Sequence, residues 1–509
     1  MVLTTTLDSL RRHFTLLIRQ YFSGLVLQIS NPFFGTSKII LSDRPQRRLE
    51  LLMKPVSQPH EGKSFRNSGR KAFWNLRFGV LTTSLLFAYL CGFSQDHLLL
   101  DAPVPEVLTE INIPDGPSDR TVQAIVGMRL IDGTEGDMIE NAVVVIDGNR
   151  IASVGKQGEV EIPDDAEVHD ASGLTMVPGL IDAHYHSVNN NPALETILKN
   201  GTTTIRDPGH PFRFYQALFF SQKPMPRVFV TGAHLDGFPG VYKQQAVLIR
   251  NAAHAQETVY EHVRNGGSGI KIYFRLPLKY FKPVTDAAKL AGVPVFAHLE
   301  LVPADSAIMA GLDGIEHITS LGVALASPEE GARFQDAVFN NSNARREWRY
   351  RLWSGIDLNS ERTQKLIELM VSNRTYLVPT LAAFEKQAGS EGVEEYEVTA
   401  FQNMMEFVRK AHQAGVEIVG SSHTWGEYAD PGFTLQREME LLAEAGMTPL
   451  EVIRATTIKN AHYFRSASRI GSIEVGKLAD FVLLNANPAE NISNMKQVSR
   501  VMINGQWVE

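Results

Sequence analysis

The chain has 509 residues, 44% hydrophobic and 21% charged, an ordinary globular composition that excludes wholesale disorder, a fibrous repeat and a polytopic membrane protein. Its formal net charge of −7 is uneven: residues 1–78 hold 13 Lys/Arg against 4 Asp/Glu, residues 79–94 hold none of either sign, and the rest holds 36 basic and 52 acidic residues. An acidic body lacks the clustered cations that phosphates need, so nucleic acid is not an expected partner.

The first 94 residues read as a basic leader. Gly79–Phe93 (GVLTTSLLFAYLCGF) is an apolar run behind Lys71 and Arg77, with Gly92 and Ser94 as small residues at a cut site. This is the pattern of a secretory signal, which predicts export to the periplasm or beyond. The run is shorter than the ~18 apolar residues of a membrane helix; an uncleaved anchor is the alternative, and it would be the chain's one route to a membrane. Met53 is well placed as the true start, which would make residues 1–52 an over-extended beginning. Cys91 is the single cysteine, so neither an intramolecular disulfide nor a multi-cysteine metal site can form. Residues 95–120 read as a linker.

From Thr121 the pattern is short strands and tight turns. AVVVIDGNRIASVG predicts a hairpin turning at Asp147-Gly148-Asn149. The chain's end repeats the style in ADFVLLNANP and in VSRVMINGQWV, which turns at Asn504-Gly505. These segments, 121–176 and 471–509, predict one small β subdomain. Between them, over 177–470, short apolar runs (TTTIRD, PRVFVTG, GIKIYF, VPVFAH, GIEHI, TYLVPT, VEIVGSS) alternate with helical stretches. Alternation predicts an α/β fold with a parallel sheet and crossover helices. Eight units fit the length, giving a (β/α)8 TIM-type barrel; an open doubly wound sheet is the runner-up. No glycine-rich phosphate loop follows any strand.

The chemistry gathers at strand ends. In VPGLIDAHYH, His184 and His186 are two apart and share one face of an extended segment. Paired neutral imidazoles can bind a divalent transition metal. GIKIYF sends Lys271 and Tyr273 one way, into an interior where an unpaired Lys is costly. His298 ends VPVFAH. In GIEHI, Ile315 and His317 share a face, and Glu316 takes the other.

With these residues in view, the chain resembles the metal-dependent amidohydrolase superfamily, in its imidazolonepropionase and prolidase-like branch. The resemblance covers residues 121–509 and rests on VPGLIDAHYH, GTTTIRDPG, GIEHI, TYLVPTL, LQREMELLAEAGMTPLEVIRATT and GSIEVGKLADFVLL. It implies a (β/α)8 barrel with a small β-sandwich built from both chain ends. It implies that His184 and His186 hold the more buried ion, that Lys271 is carbamylated and bridges two ions, and that His298 and His317 hold the outer one. Zinc is the expected ion, one or two per chain. Tyr273 lies where relatives polarise the substrate carbonyl or hold its carboxylate, and His234 lies on a loop that could touch substrate. The implied reaction is attack of metal-activated hydroxide on a C–N bond of an amide, peptide or cyclic amide. N-acyl amino acids, dipeptides, lactams and cyclic ureides are the small-molecule classes expected. A homo-oligomer is compatible with the chain but not fixed by it.

One position departs from the pattern. Where the family carries an Asp that shuttles the proton, VEIVGSSHTWG has Ser422, whose neutral hydroxyl is a poor base. Three readings follow. Another group acts as base, either His423 if a bulge turns it inward or Glu300, which shares a face with His298. Or the site binds metal or ligand and is catalytically impaired. Or the substrate is activated and needs little base. Of the remaining polar residues, Asp182 reads as orienting its strand, Arg206 and Asp207 as an ion pair with each other, Asp480 as a turn residue, and the Arg/Trp-rich stretch 344–358 as a solvated helix covering the barrel mouth.

Overall fold

The computed structural model describes residues 26–31, 35–40, 110, 116–117, 121–215, 218 and 225–509. The chain divides into two units, Met1–Ala88 and Tyr89–Glu509. In the first, strands β1 (Val26–Asn31) and β2 (Gly35–Ile40) pair antiparallel. The apolar run 79–94 and its basic flank, Lys71 and Arg77, lie outside the described residues. Among the described residues no helix is long and apolar enough to cross a membrane.

The second unit begins and ends in one eight-stranded sheet. Strands β3 (Val122–Leu130), β4 (Ile139–Asp147), β5 (Arg150–Lys156), β6 (Glu167–Asp170) and β7 (Thr175–Pro178) come from its start. Later strands of the same sheet are β17 (Phe481–Leu484), β18 (Val498–Ile503) and β19 (Gln506–Trp507); they join through β17 pairing with β7. Both hairpins read from the sequence form. The β4–β5 turn sits on Gly148 at φ 63°, a left-handed backbone that only a residue without Cβ adopts freely. Alternation sends Ile125, Val144, Ile146, Met176, Phe481 and Leu483 to one face, where they form a core of their own.

Between these ends the strands run parallel. The first parallel sheet has the order β10–β9–β8, made of β8 (Leu180–Asp182), β9 (Thr202–Asp207) and β10 (Arg227–Val230). The second has the order β12–β11–β13–β14–β15–β16. Its strands are β11 (His234–Asp236), β12 (Ala246–Leu248), β13 (Ile270–Ile272), β14 (Val295–His298), β15 (Gly314–Glu316) and β16 (Tyr376–Val378). Helices Ala252–Arg264, Phe281–Leu290, Ala304–Met309 and Glu361–Asn373 return the chain between successive strands. Their inward residues, among them Val259, Val284, Ile308 and Met370, join the strands in one core. Hydrogen bonds continue past the ladders. Ser268 N–H donates to Val230 O at 2.7 Å, Leu377 bridges Ile418, and Asn460 Nδ2 donates to Ile181 O at 2.7 Å and Gly420 O at 2.9 Å.

Two residues tie the layers together. Arg227, fully buried at the start of β10, pairs with Asp480 at 3.0 Å and with Glu110 at 3.1 Å. Glu110 also holds Arg469 at 2.7 Å. The stretch read as a linker is therefore anchored at Glu110, and Asp480 is more than a turn residue: its other oxygen accepts from Asn504 N–H at 2.6 Å.

Candidate metal centre

The chain leaves β8 into His184 and His186, whose Nε2 atoms lie 2.9 Å apart. His184 then meets two more imidazoles, and a third lies beyond them. Its ring centre is 4.6 Å from that of His317 and 5.0 Å from that of His423, and His317 lies 4.6 Å from His298. The four metal-ligand histidines expected from the sequence thus converge, and His423 joins them. The inward turn of His423 is made by left-handed backbone at His423 (φ 53°) and Thr424 (φ 78°), which overrides the strand alternation that would have turned it away.

Lys271, on β13, is buried and contacts the carboxylate of Glu316. Burial, reinforced by the nearby Arg206 guanidinium, pulls the amine well below its ordinary pKa. Glu316 is fully buried and also holds Arg206 at 2.6 Å and His184 Nδ1 at 3.1 Å. This corrects the expectation that Glu316 faces away. His317 has φ 70°, so the strand ends at Glu316 and both side chains reach the centre. It also corrects the expected Arg206–Asp207 pair. Neighbours on a strand point to opposite faces: Arg206 goes to Glu316 and stacks on Phe296 at 3.7 Å. Asp207 goes to His210 Nδ1 at 2.8 Å and accepts from the Tyr215 hydroxyl at 3.0 Å.

Ser422 does not face the imidazoles as a base would. Its hydroxyl donates to Asp182 Oδ2 at 2.5 Å and accepts from Thr424 N–H at 2.8 Å. Thr424 Oγ1 in turn accepts from His186 N–H at 2.7 Å. Asp182 Oδ1 accepts from the backbone N–H groups of Ser422 and His184. Burial nevertheless pushes Asp182 up to about 6, against those donors.

At the outer side His298 Nε2 lies 2.9 Å from Glu300, which Arg349 also reaches at 3.3 Å. Burial pushes Glu300 up to about 7 while the two arginines, Arg349 and Arg345, hold it down. Tyr273 packs against His298 at 5.1 Å and against His234 at 4.5 Å, so both sequence candidates for substrate contact pack together beside His298. Arg345–Ser354 is a helix as expected, but only one face is solvated (Arg346, Glu347, Arg351): Arg345, Arg349, Tyr350, Leu352 and Trp353 are buried. Two open hollows, of about 630 and 770 Å³, are lined by none of the residues of this centre.

These side chains fit a divalent cation. Burial holds His184, His186, His298 and His317 well below the ordinary imidazole pKa, and His423 at about 4. Each is therefore neutral and carries a free lone pair near pH 7. His184, His317 and His423 offer ligand atoms within 4.8 Å of one another, and so do His186, Asp207 and His210. Glu316 Oε2 places a carboxylate 3.1 Å from His184 Nδ1, with no hydrogen bond formed between them.

The comparisons agree with this chemistry. The family model for the amidohydrolase family matches residues 175–508. Imidazolonepropionase of Brevibacillus brevis is 25% identical over 419 residues, 71% of this chain and 87% of that enzyme. Imidazolonepropionase of Streptomyces griseus is 42% identical over 57 residues, a stretch spanning 11% of this chain and only 14% of that enzyme. A solved Xaa-Pro dipeptidase with methionine bound in its active site superposes with a TM-score of 0.58 at 24% identity, over 76% of this chain and 99% of that one. With its model matched across most of the described body, the chain belongs to the amidohydrolase family.

Proposed function

We propose that the protein is a metal-dependent hydrolase that cleaves a C–N bond in a small amide, dipeptide or cyclic amide. The observation that carries this is the convergence of five neutral imidazoles, three buried (His184, His298, His317) and two half-buried (His186, His423), beside Lys271 and Glu316. His184, His186, His298, His317 and His423 would hold zinc, one ion or two, with Lys271 carbamylated if there are two. A bound divalent cation lowers the pKa of water and polarises a carbonyl. In this reading the two parallel sheets form the wall of a (β/α)8 barrel, and the eight-stranded sheet belongs to a small β-sandwich.

The chain's own residues divide the remaining work. Ser422 acts as scaffold, tying Asp182 to the Thr424–His186 segment. The proton falls to Glu300. Its titration at about 7 suits a general acid or base at neutral pH, whereas His423 at about 4 is a weaker base. Glu300 Oε2 is buried and carries no hydrogen bond. Tyr273 and His234 line the side where substrate would lie. The alternative of an impaired homologue is favoured by nothing beyond Ser422 itself.

Metal analysis of the purified chain, with a hydrolysis screen over N-acyl amino acids, dipeptides and lactams beside Ser422→Asp, tests this. Wild type should contain metal and turn over at least one class. A metal-free, inactive wild type whose Asp variant is active would overturn the reading. Export is part of the same proposal, supported by the basic flank and apolar run of residues 71–94. Amino-terminal sequencing of the native protein should find a start after Ser94, and peptides from upstream of Met53 would refute the shortened precursor.

A further inference from the structure

Arg345 is 5% exposed at the start of its helix. Its guanidinium donates to two neutral oxygens, Ser342 O at 2.5 Å and the Tyr242 hydroxyl at 3.2 Å. Its Nε is buried with no partner. Among the described residues no carboxylate pairs with it. Arginine cannot shed its proton to escape this, and a buried charge without a counter-charge is costly.

The surrounding charges do not supply the missing partner. One turn along the helix, Arg349 takes Glu300 at 3.3 Å. Asp236 spends its oxygens on the backbone N–H groups of Gly237, Val241 and Arg275. Two guanidiniums thus face one free carboxylate, and one positive charge is left over. It stands beside the histidine centre. Tyr242, which accepts from Arg345, has its ring centre 5.8 Å from that of Tyr273, and Tyr273 is 5.1 Å from His298. Tyr242 is 42% exposed, while Arg345, which donates to it, is 5% exposed.

We propose that Arg345 is the receptor for an anionic group of the ligand, so that the site takes amides bearing a free carboxylate in preference to neutral lactams or ureides. A planar guanidinium matches a carboxylate with two parallel hydrogen bonds. The carboxylate enters on the Tyr242 side and takes the N–H that the tyrosine hydroxyl now occupies, while the rest of the ligand lies along Tyr273. Calling the ligand a substrate rests on the hydrolase reading; the anion preference does not.

Equilibrium titration of the as-isolated protein with N-acylglycines and the matching N-acylglycinamides tests this. The wild type should bind the acids at least about tenfold more tightly, the size of one good charged contact. Arg345→Gln should bring the ratio close to one, and Arg345→Lys should keep part of it. A melting curve for each variant establishes that it is folded, and Lys serves if Gln is not. The proposal fails if no acid binds more tightly than its amide, or if the preference survives in Arg345→Gln. Metal loss or absent turnover would sink the hydrolase reading while leaving this ratio intact.

Discussion

The Ser422 hydroxyl donates to Asp182 Oδ2 at 2.5 Å, across 240 residues of chain. The serine that the sequence reading expected at a carboxylate position is engaged in holding a buried carboxylate of the first parallel strand. Ser422→Ala should remove that donor and push Asp182 above its present value of about 6. The expected loss is about 1–3 kcal/mol of stability, read by urea unfolding of the metal-free chain. Ser422→Asp should also destabilise, because two carboxylates in contact cannot both ionise freely. An unchanged midpoint for both variants would contradict the scaffold role.

Glu316→Gln tests the centre's internal acid. It leaves Arg206, buried and stacked on Phe296, without its carboxylate. Breaking a buried pair by removing one partner costs about 3–5 kcal/mol. The same change removes the carboxylate charge 3.1 Å from His184 Nδ1, so metal affinity should fall by about 10–100-fold, measured by competition with a chromophoric chelator. Glu316→Asp should recover part of the affinity if the carboxylate contact is what matters.

His423→Asn keeps a residue that tolerates the left-handed backbone there and removes the imidazole. Bound metal per chain should drop, and turnover should fall by about 10²-fold or more, as for loss of a group in direct contact with the reacting centre. Full metal content and full activity would place His423 outside the centre.

Acid should unfold the metal-free chain through its histidines. The folded pKa values of His184, His186, His298 and His317 lie well below 6.5, with His234 at about 3 and His423 at about 4. Groups with depressed folded values stabilise above the unfolded pKa, and that stability is lost as pH falls through the folded one. The carboxyls Asp182, Glu300 and Glu438, raised to about 6, 7 and 8, pull the other way. Six imidazoles outweigh three carboxyls, so stability should fall between pH 6.5 and 4. Denaturant midpoints across that range measure it; a flat or rising trend would show that these histidines are not buried neutral.

Much of this centre was legible in the sequence because ligand-type residues stand at the ends of apolar runs. His184, His186, Lys271, His298 and His317 meet as that pattern implied. The misses share a cause. Strand parity placed Glu316 and His423 on outward faces, and left-handed backbone at positions 317 and 423 broke the parity. Spacing gives no sign of the bond from Asp182 to Ser422 or of that from Arg206 to Glu316, since each joins segments far apart in the chain. Arg345 was visible as part of a basic stretch; that its charge would be buried beside the histidines was not.

Arg227 carries a consequence for the proposed removal of a leader. Its guanidinium is shared between Asp480, near the chain's end, and Glu110, upstream of the first strand of the eight-stranded sheet. Any protease that trims the leader must stop before Glu110. A cut beyond it would leave Arg227 and Arg469 to compete for what remains, and would loosen the seam between the two ends of the folded body. The position of Glu110 thus sets an inner limit on the processing site, one that a ladder of amino-terminal truncations should reveal as a sharp drop in melting temperature.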